Sequence, residues 1–199
     1  MPELLLATSN PGKIREYRTL LHGVGYTITT PLEKGIEDTV TESGDTYEQN
    51  ARLKAVAYAG LSGIITLADD SGLEVDALDG LPGVRSARFA GEDATDQERV
   101  SLLLDRLSSV PWEERTARFK CVIAIASRGD HVDLCYGECR GLIAFEAAGI
   151  QGFGYDPVFY LPEIGRTMAE LPPELKNQIS HRALASQQAR RVLLRLNPD

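Results

Sequence analysis

Apolar and polar positions along the chain follow two periods, and where the period changes an element begins or ends. Leu4, Leu5, Leu6 and Ala7 form an apolar run from Glu3 to Thr8 that predicts a short buried strand. Ser9-Asn10-Pro11-Gly12-Lys13 interrupts it, after which Ile14, Tyr17 and Leu21 recur at helical spacing, so the order is strand, tight turn, helix. A second strand is expected around Tyr26 to Thr30, followed by a polar stretch. Asp45 with Glu48 three residues later forms a capping-box pattern that predicts a helix to about Gly60, with Tyr47, Asn50 and Lys54 on one face. Ile64 to Ala68 reads as a buried strand ending in Asp69-Asp70-Ser71-Gly72, and Leu73, Val75 and Ala77 then alternate as in a half-buried strand.

Glycine and proline punctuate a loop from Asp79 to Gly91. Thr95 with Glu98 caps a helix whose Val100, Leu103, Leu104 and Leu107 make one apolar stripe. Arg115 to Ser127 and Val132 to Phe145 are long runs of strand formers, joined as a hairpin through Arg128-Gly129-Asp130-His131. Beyond the Gly152 to Pro157 loop come a short strand, a Pro-rich stretch and a terminal helix from about Ser180 to Leu196. Strands alternating with helices early and a long hairpin late predict an α/β architecture on a mixed sheet. At 199 residues, without internal repeats or low-complexity segments, the chain is expected to form one globular domain, with two lobes around a cleft also compatible.

Composition narrows the class. With 43% hydrophobic and 25% charged residues the chain reads as a cytoplasmic globular protein, and its first apolar run is too short for a signal peptide or a membrane span. The three cysteines, Cys121, Cys135 and Cys139, lie in strand-like segments and are expected to be free packed thiols. A net charge of -8 opposes broad binding to nucleic acid, which needs many cations over the surface. A small anionic substrate remains compatible, provided that cations gather locally and a hard metal ion assists.

Four clusters could supply that chemistry. In Thr8-Ser9-Asn10-Pro11-Gly12-Lys13 a strand delivers hydroxyl, amide and glycine residues to a helix N-terminus, where backbone N–H groups and the dipole can cradle phosphate. The other reading is a plain strand-to-helix turn capped by Asn10. Glu42, Asp69 and Asp70 form an acidic group able to ligate magnesium; if strand geometry persists through the aspartates they point to opposite faces, so only one can face a given ion. A solvated turn at Asp-Asp-Ser-Gly is the alternative. In Gly152-Phe153-Gly154-Tyr155-Asp156-Pro157, glycines beside aromatic rings suit either base stacking or a hydrophobic plug. Lys176, His181 and Arg182 are donors able to reach a phosphate or a base carbonyl, or else ordinary solvated surface.

Taken together and in this order, the clusters resemble the Ham1/RdgB family of inosine and xanthosine triphosphate pyrophosphatases. The likeness is carried by Ala7 to Lys13, Glu48-Gln49-Asn50-Ala51 with Lys54, Ala68 to Leu73, Gly83 to Phe89, Gly152 to Pro157 and Ile179 to Arg182. The resemblance implies a long mixed sheet with flanking helices forming two lobes around a central cleft, and a homodimer. It implies hydrolysis of non-standard purine nucleoside triphosphates (ITP, dITP, XTP) to the monophosphate and pyrophosphate. Thr8, Ser9, Asn10, Pro11, Gly12 and Lys13 would hold phosphates; Glu42 and Asp70 would bind Mg2+, with Asp70 also accepting the proton of the attacking water. Ser71, Lys54 and Lys176 would line the triphosphate, and Phe153, Gly154, Tyr155, Asp156, His181 and Arg182 the purine. Competing readings are a Maf-like pyrophosphatase of different base specificity and a nucleotide-binding module without catalysis. The carboxylates Glu42 and Asp70 oppose the latter, since a polyanion site gains nothing from extra negative charge without a metal.

Overall fold

The computed structural model describes residues 1–37, 40–127 and 131–197. Strand β1 (Glu3–Leu6) leads through the Asn10 turn into α1 (Pro11–Leu20), and the chain returns as β2 (Thr27–Thr29). Helix α2 (Tyr47–Ser62) then precedes β3 (Ile65–Val75). Both β2 and β3 pair parallel with β1, Leu4 lying opposite Ile28 on one side and Ile65 on the other. Parallel neighbours need crossover connections, and α1 and α2 lie within those two connections.

After α3 (Asp96–Arg106) come the long strands β4 (Thr116–Ala126) and β5 (Val132–Ile143), then β6 (Phe159–Leu161) and β7 (Arg166–Thr167). Strand β6 pairs antiparallel with β5 and β7. The result is one seven-stranded mixed sheet in the order β2-β1-β3-β4-β5-β6-β7, as the α/β reading expected. Helices α4 (Pro173–Ile179) and α5 (His181–Leu196) close the described chain. Residues Arg128-Gly129-Asp130 of the expected hairpin link lie outside the described residues.

Contacts divide the chain into two units, residues 1–70, 121–137 and 182–199 in the first and residues 71–120 and 138–181 in the second. Each has its own apolar core. In the first, Leu4, Leu6 and Leu67 pack with Tyr17 of α1, Ile123 and Ile125 of β4, and Ala185, Ala189 and Leu193 of α5. In the second, Val100 and Leu103 of α3, with Leu107 just beyond it, pack with Leu73, Val75, Phe119, Ile143 and Phe159. The apolar stripe expected on α3 is therefore core, and Thr95 and Glu98 form the reciprocal capping box that starts it.

Several boundaries moved for local reasons. Helix α2 is capped by Thr46, whose hydroxyl accepts the Gln49 N–H at 3.2 Å, so the expected Asp45–Glu48 box is displaced by one residue. It ends at Gly63 rather than near Gly60, because Gly63 takes the left-handed conformation (φ 67°) that terminates helices. The Asp69-Asp70-Ser71-Gly72 segment is not a turn: β3 runs through it unbroken. The Pro-rich stretch contains a helix, α4, since Pro173 sits in its first turn, where a missing N–H costs nothing.

All three cysteines are free and buried, and burial pushes the Cys121 thiol up to about 12 and those of Cys135 and Cys139 up to about 11. Among the described residues no helix is long and apolar enough to cross a membrane.

Leu103 is fully buried in the second core, so Leu103→Ala should lower unfolding free energy by about 2–5 kcal/mol. Thr95→Ala, which removes only the α3 cap, should cost about 1 kcal/mol. Urea unfolding of the two variants checks the order, and equal losses would deny the core its dominant part.

Candidate active site

In the first unit, the turn between β1 and α1 is built from small polar contacts. The Asn10 N–H donates to Thr8 Oγ1 at 3.2 Å, and Asn10 Oδ1 accepts the Lys13 N–H at 3.1 Å. Pro11 and Gly12 occupy the first helical positions, and no acidic side chain lies in the first turn of α1. Its positive dipole end is therefore uncompensated by an acid of its own. Ser9, Asn10 and Pro11 are exposed, Thr8 and Lys13 half-buried, and Gly12 buried.

Because β3 continues through both aspartates, their side chains leave the strand in opposite directions, and they meet different company. Both Asp69 carboxylate oxygens lie 3.0 Å from Lys13 Nζ. Arg182 Nε approaches Asp69 Oδ2 at 3.7 Å, and the Cys121 thiol donates to the same oxygen at 3.9 Å. Burial alone would raise the Asp69 carboxyl, but Lys13, Arg182 and Lys54 overcome it and hold the group well below the usual carboxylate range.

Asp70 shifts the other way. Burial pushes its carboxyl up, the Glu42 charge adds to the rise, and Lys54 together with a 3.0 Å hydrogen bond from Asn50 Nδ2 offsets only part of it. The Asn50 amide is oriented by the Gly44 N–H, which donates to its Oδ1 at 2.8 Å. Lys54 Nζ stands in this acidic group, donating to Glu42 Oε1 at 2.7 Å and to the Asp69 carbonyl at 2.5 Å. Burial works against its charge, yet Asp69, Glu42 and Asp70 raise it above the ordinary lysine value.

Among the described residues no group of three or more His, Cys, Asp or Glu side chains forms a metal cage. Glu42 and Asp70 nevertheless act on one another as like charges. Two such carboxylates fit a hard cation that takes its other ligands from water and phosphate oxygens. Their mutual repulsion is what a divalent ion relieves.

The remaining expected residues, except Arg182, belong to the second unit. Gly152 has φ 79°, and a Cβ there would collide with Asp156 Oδ2. That oxygen accepts the Phe153 N–H at 2.9 Å and Lys176 Nζ at 2.5 Å. Lys176 Nζ also lies 5.0 Å from the centre of the Phe153 ring, so this lysine shapes the loop. The Gly154 N–H donates to Asp96 Oδ2 at 2.7 Å, and the buried Tyr155 hydroxyl to the Ser86 carbonyl at 2.9 Å. Ser71 is half-buried within β3. His181 stacks on Phe119 with ring centres 4.7 Å apart and 16° between planes.

Arg182, the next residue, is held in the first unit by Glu16 Oε2 at 2.6 Å and lies over the Tyr17 ring. Thus Lys13, Glu42, Lys54, Asp70 and Arg182 belong to the first unit's set, and Phe153 to Asp156, Lys176 and His181 to the second's. Asn50 was legible as the face-mate of Lys54. Glu16 and Asp96 carried no chemical signal, because their partners lie 166 and 58 residues away in sequence.

A model of the Ham1 family matches residues 4–192. A dITP/XTP pyrophosphatase from Desulforamulus reducens is 50% identical over 194 residues, 98% of this chain and 96% of that one. Another from Geobacillus kaustophilus is 50% identical, covering 93% of this chain and 91% of its own. Among solved structures, a HAM1 protein from Coxiella burnetii superposes with a TM-score of 0.89 at 42% identity, covering 98% of this chain and all of its own (100%). The Ham1 protein of Staphylococcus aureus gives 0.86 at 39% identity, covering 96% and 97% of the respective chains.

The opposite shifts of the two aspartates give opposite pH signatures. Asp69 is depressed, so its contribution to stability is present above the unfolded value of about 3.9 and is lost as pH falls through the folded value. Asp70 is raised, so its contribution is fully present below the unfolded value of about 3.9 and is lost as pH rises through its folded value. In magnesium-free buffer at pH 7, Asp69→Asn should lower the melting temperature and Asp70→Asn should raise it. Below pH 3 the Asp69→Asn deficit should shrink; shifts of the same sign for both variants would contradict the asymmetry.

Proposed function

The chain belongs to the Ham1 family, and we propose on that basis that it hydrolyses the non-standard purine nucleoside triphosphates ITP, dITP and XTP to the monophosphate and pyrophosphate. It is a nucleoside-triphosphate pyrophosphatase, as are the relatives that match nearly its whole length. The observation that carries the chemistry is the division of labour at Asp69 and Asp70. One carboxylate is neutralised by cations, while the other stays beside a second acid with its proton affinity raised.

Pyrophosphate leaves when water attacks the α-phosphorus. Asp70 accepts the proton of that water, a role suited by a carboxyl raised above its ordinary value. Glu42 and Asp70 would hold Mg2+, which supplies charge neutralisation to the phosphates and acidifies water. Asn50 orients the Asp70 carboxylate through its hydrogen bond. Lys13 and Lys54, with the Ser9 and Gly12 N–H groups of the turn, bind phosphate oxygens and compensate the charge of the departing pyrophosphate.

For base choice we assign the purine to the Phe153 to Asp156 loop, by stacking, and its 6-oxygen to donors on His181 and Arg182. Arg182 carries five N–H donors and accepts no hydrogen bond, which suits it to a carbonyl oxygen. Adenine presents an amino donor at the 6-position, so a donor-lined contact opposes ATP. The resemblance that pointed to the family also implies a homodimer, and the composition a cytoplasmic protein; we adopt both.

Asp70→Asn should cut kcat by about 10²–10⁴-fold while the protein unfolds cooperatively on heating; a near-normal rate would remove Asp70 as the base. In a pyrophosphate-release assay with magnesium, ITP and XTP should exceed ATP in kcat/KM. Equal rates on all three, or a preference for pyrimidine nucleotides, would defeat the purine assignment.

A further inference from the structure

Asp69 lies beside the proposed base, yet no part of the mechanism above uses its side chain. It is 1% exposed, and it contacts cations through both of its polar ends. The carboxylate takes Lys13 Nζ at 3.0 Å on each oxygen, and the carbonyl takes Lys54 Nζ at 2.5 Å. The carboxylate is itself braced: Cys121 donates to Oδ2 at 3.9 Å, and Arg182 Nε lies 3.7 Å from the same oxygen. Arg182 is anchored in turn by Glu16 at 2.6 Å, on the same helix as Lys13 and three residues along. The bracing thus runs from α5 and β4 into Asp69, and from Asp69 to the lysine that opens α1.

A lysine ammonium ends a flexible four-carbon stem, and its position is only as definite as its partner. Lys13 is half-buried, with a side chain 15% exposed, and its partner is the buried carboxylate just described. The side chain of Asp69 cannot act as base or metal ligand in concert with Asp70, because successive strand residues face opposite ways.

We propose that Asp69 is a positioning residue for the reaction: its braced carboxylate fixes Lys13 Nζ at the Thr8 to Lys13 turn, so that the cation is placed before the triphosphate arrives. This deepens the pyrophosphatase reading of the same residues and rests on it. Two other roles make different forecasts. A competitor would occupy Lys13 and weaken phosphate binding; a charge balancer would need only a negative charge in the pocket.

The test compares Asp69→Asn, which keeps the shape without the charge, with Asp69→Glu, which keeps the charge but moves the carboxylate by one methylene. Both are measured alone and combined with Lys13→Met, in steady-state ITP hydrolysis and in calorimetric binding of inorganic tripolyphosphate, with folding checked by circular dichroism. Positioning predicts that kcat/KM falls by about 10²-fold in both single variants, the loss that a misplacement of about 1 Å brings. It also predicts that each double variant is no more than about 3-fold worse than Lys13→Met alone, since Asp69 acts through that lysine.

Recovery of the wild-type rate in Asp69→Glu would reduce Asp69 to charge balance, and a lower KM with unchanged kcat in Asp69→Asn would make it a competitor. Losses that multiply in the double variants would assign it a purely structural role. If Asp69→Asn does not fold, Asp69→Glu and its double variant decide alone. Should the wild-type protein release no pyrophosphate from any purine triphosphate, the functional reading fails. The positioning claim then stands or falls on tripolyphosphate binding, which it requires to weaken about tenfold in Asp69→Glu.

Discussion

Two neighbouring carboxylates in an unbroken strand must face different surroundings, and at Asp69 and Asp70 that constraint sets one acid among cations and the other beside a second acid. Had β3 ended at Ala68, as a turn-forming composition suggests, both acids could have swung toward solvent. The strand instead holds each rigid. Lys13, Arg182 and Cys121 converge on Asp69, while Asn50 and the Glu42 charge converge on Asp70. Lys54 reaches both neighbourhoods, with its ammonium on Glu42 and on the Asp69 carbonyl. One pleat thus sets two proton affinities in opposite directions from the same amino acid type.

How much of this was legible beforehand depended on the range of the interaction. Periodicity placed α1, α3, the long strands β4 and β5 and the terminal helix, since each rests on contacts a few residues apart. The Asn10 cap was equally readable, because its partner is Lys13, three residues on. At Asp69-Asp70-Ser71-Gly72 composition misled: the local preference for a turn lost to the pairing and burial of an eleven-residue strand. The α2 start shifted because the Thr46 hydroxyl supplies the cap one residue after Asp45. For the candidate site, residue types pointed to Lys13, Glu42 and the Asp69–Asp70 pair, and the family resemblance added Lys54 and the choice of Asp70, whereas the distinction between the surroundings of the two aspartates was beyond any local pattern. It depends on Arg182 and Cys121, which come from distant segments. Lys176 showed the same limit, since its burial against Asp156 could not be read from a charged stretch near a helix start.

The loop in the second unit shows a complementary economy. A single buried oxygen, Asp156 Oδ2, serves both the Phe153 backbone and the Lys176 ammonium, and Gly152 leaves it the space to do so. Tyr155 is pinned through its hydroxyl to the Ser86 carbonyl, and Ser86 in turn accepts the Leu73 N–H at 2.9 Å. An aromatic residue beside flexible glycines is thereby held in one conformation by polar contacts beneath it. Substitution accordingly has very little room at Gly152 or Asp156.

The thiols carry a practical consequence of burial. Cys121, Cys135 and Cys139 are all enclosed and all disfavour the thiolate, the form that reacts with alkylating agents. Cys121 and Cys135 lie in the first unit and Cys139 in the second. The folded chain therefore carries its own silent reporters: labelling of one cysteine before the others marks which unit breathes first, with no probe engineered into the protein.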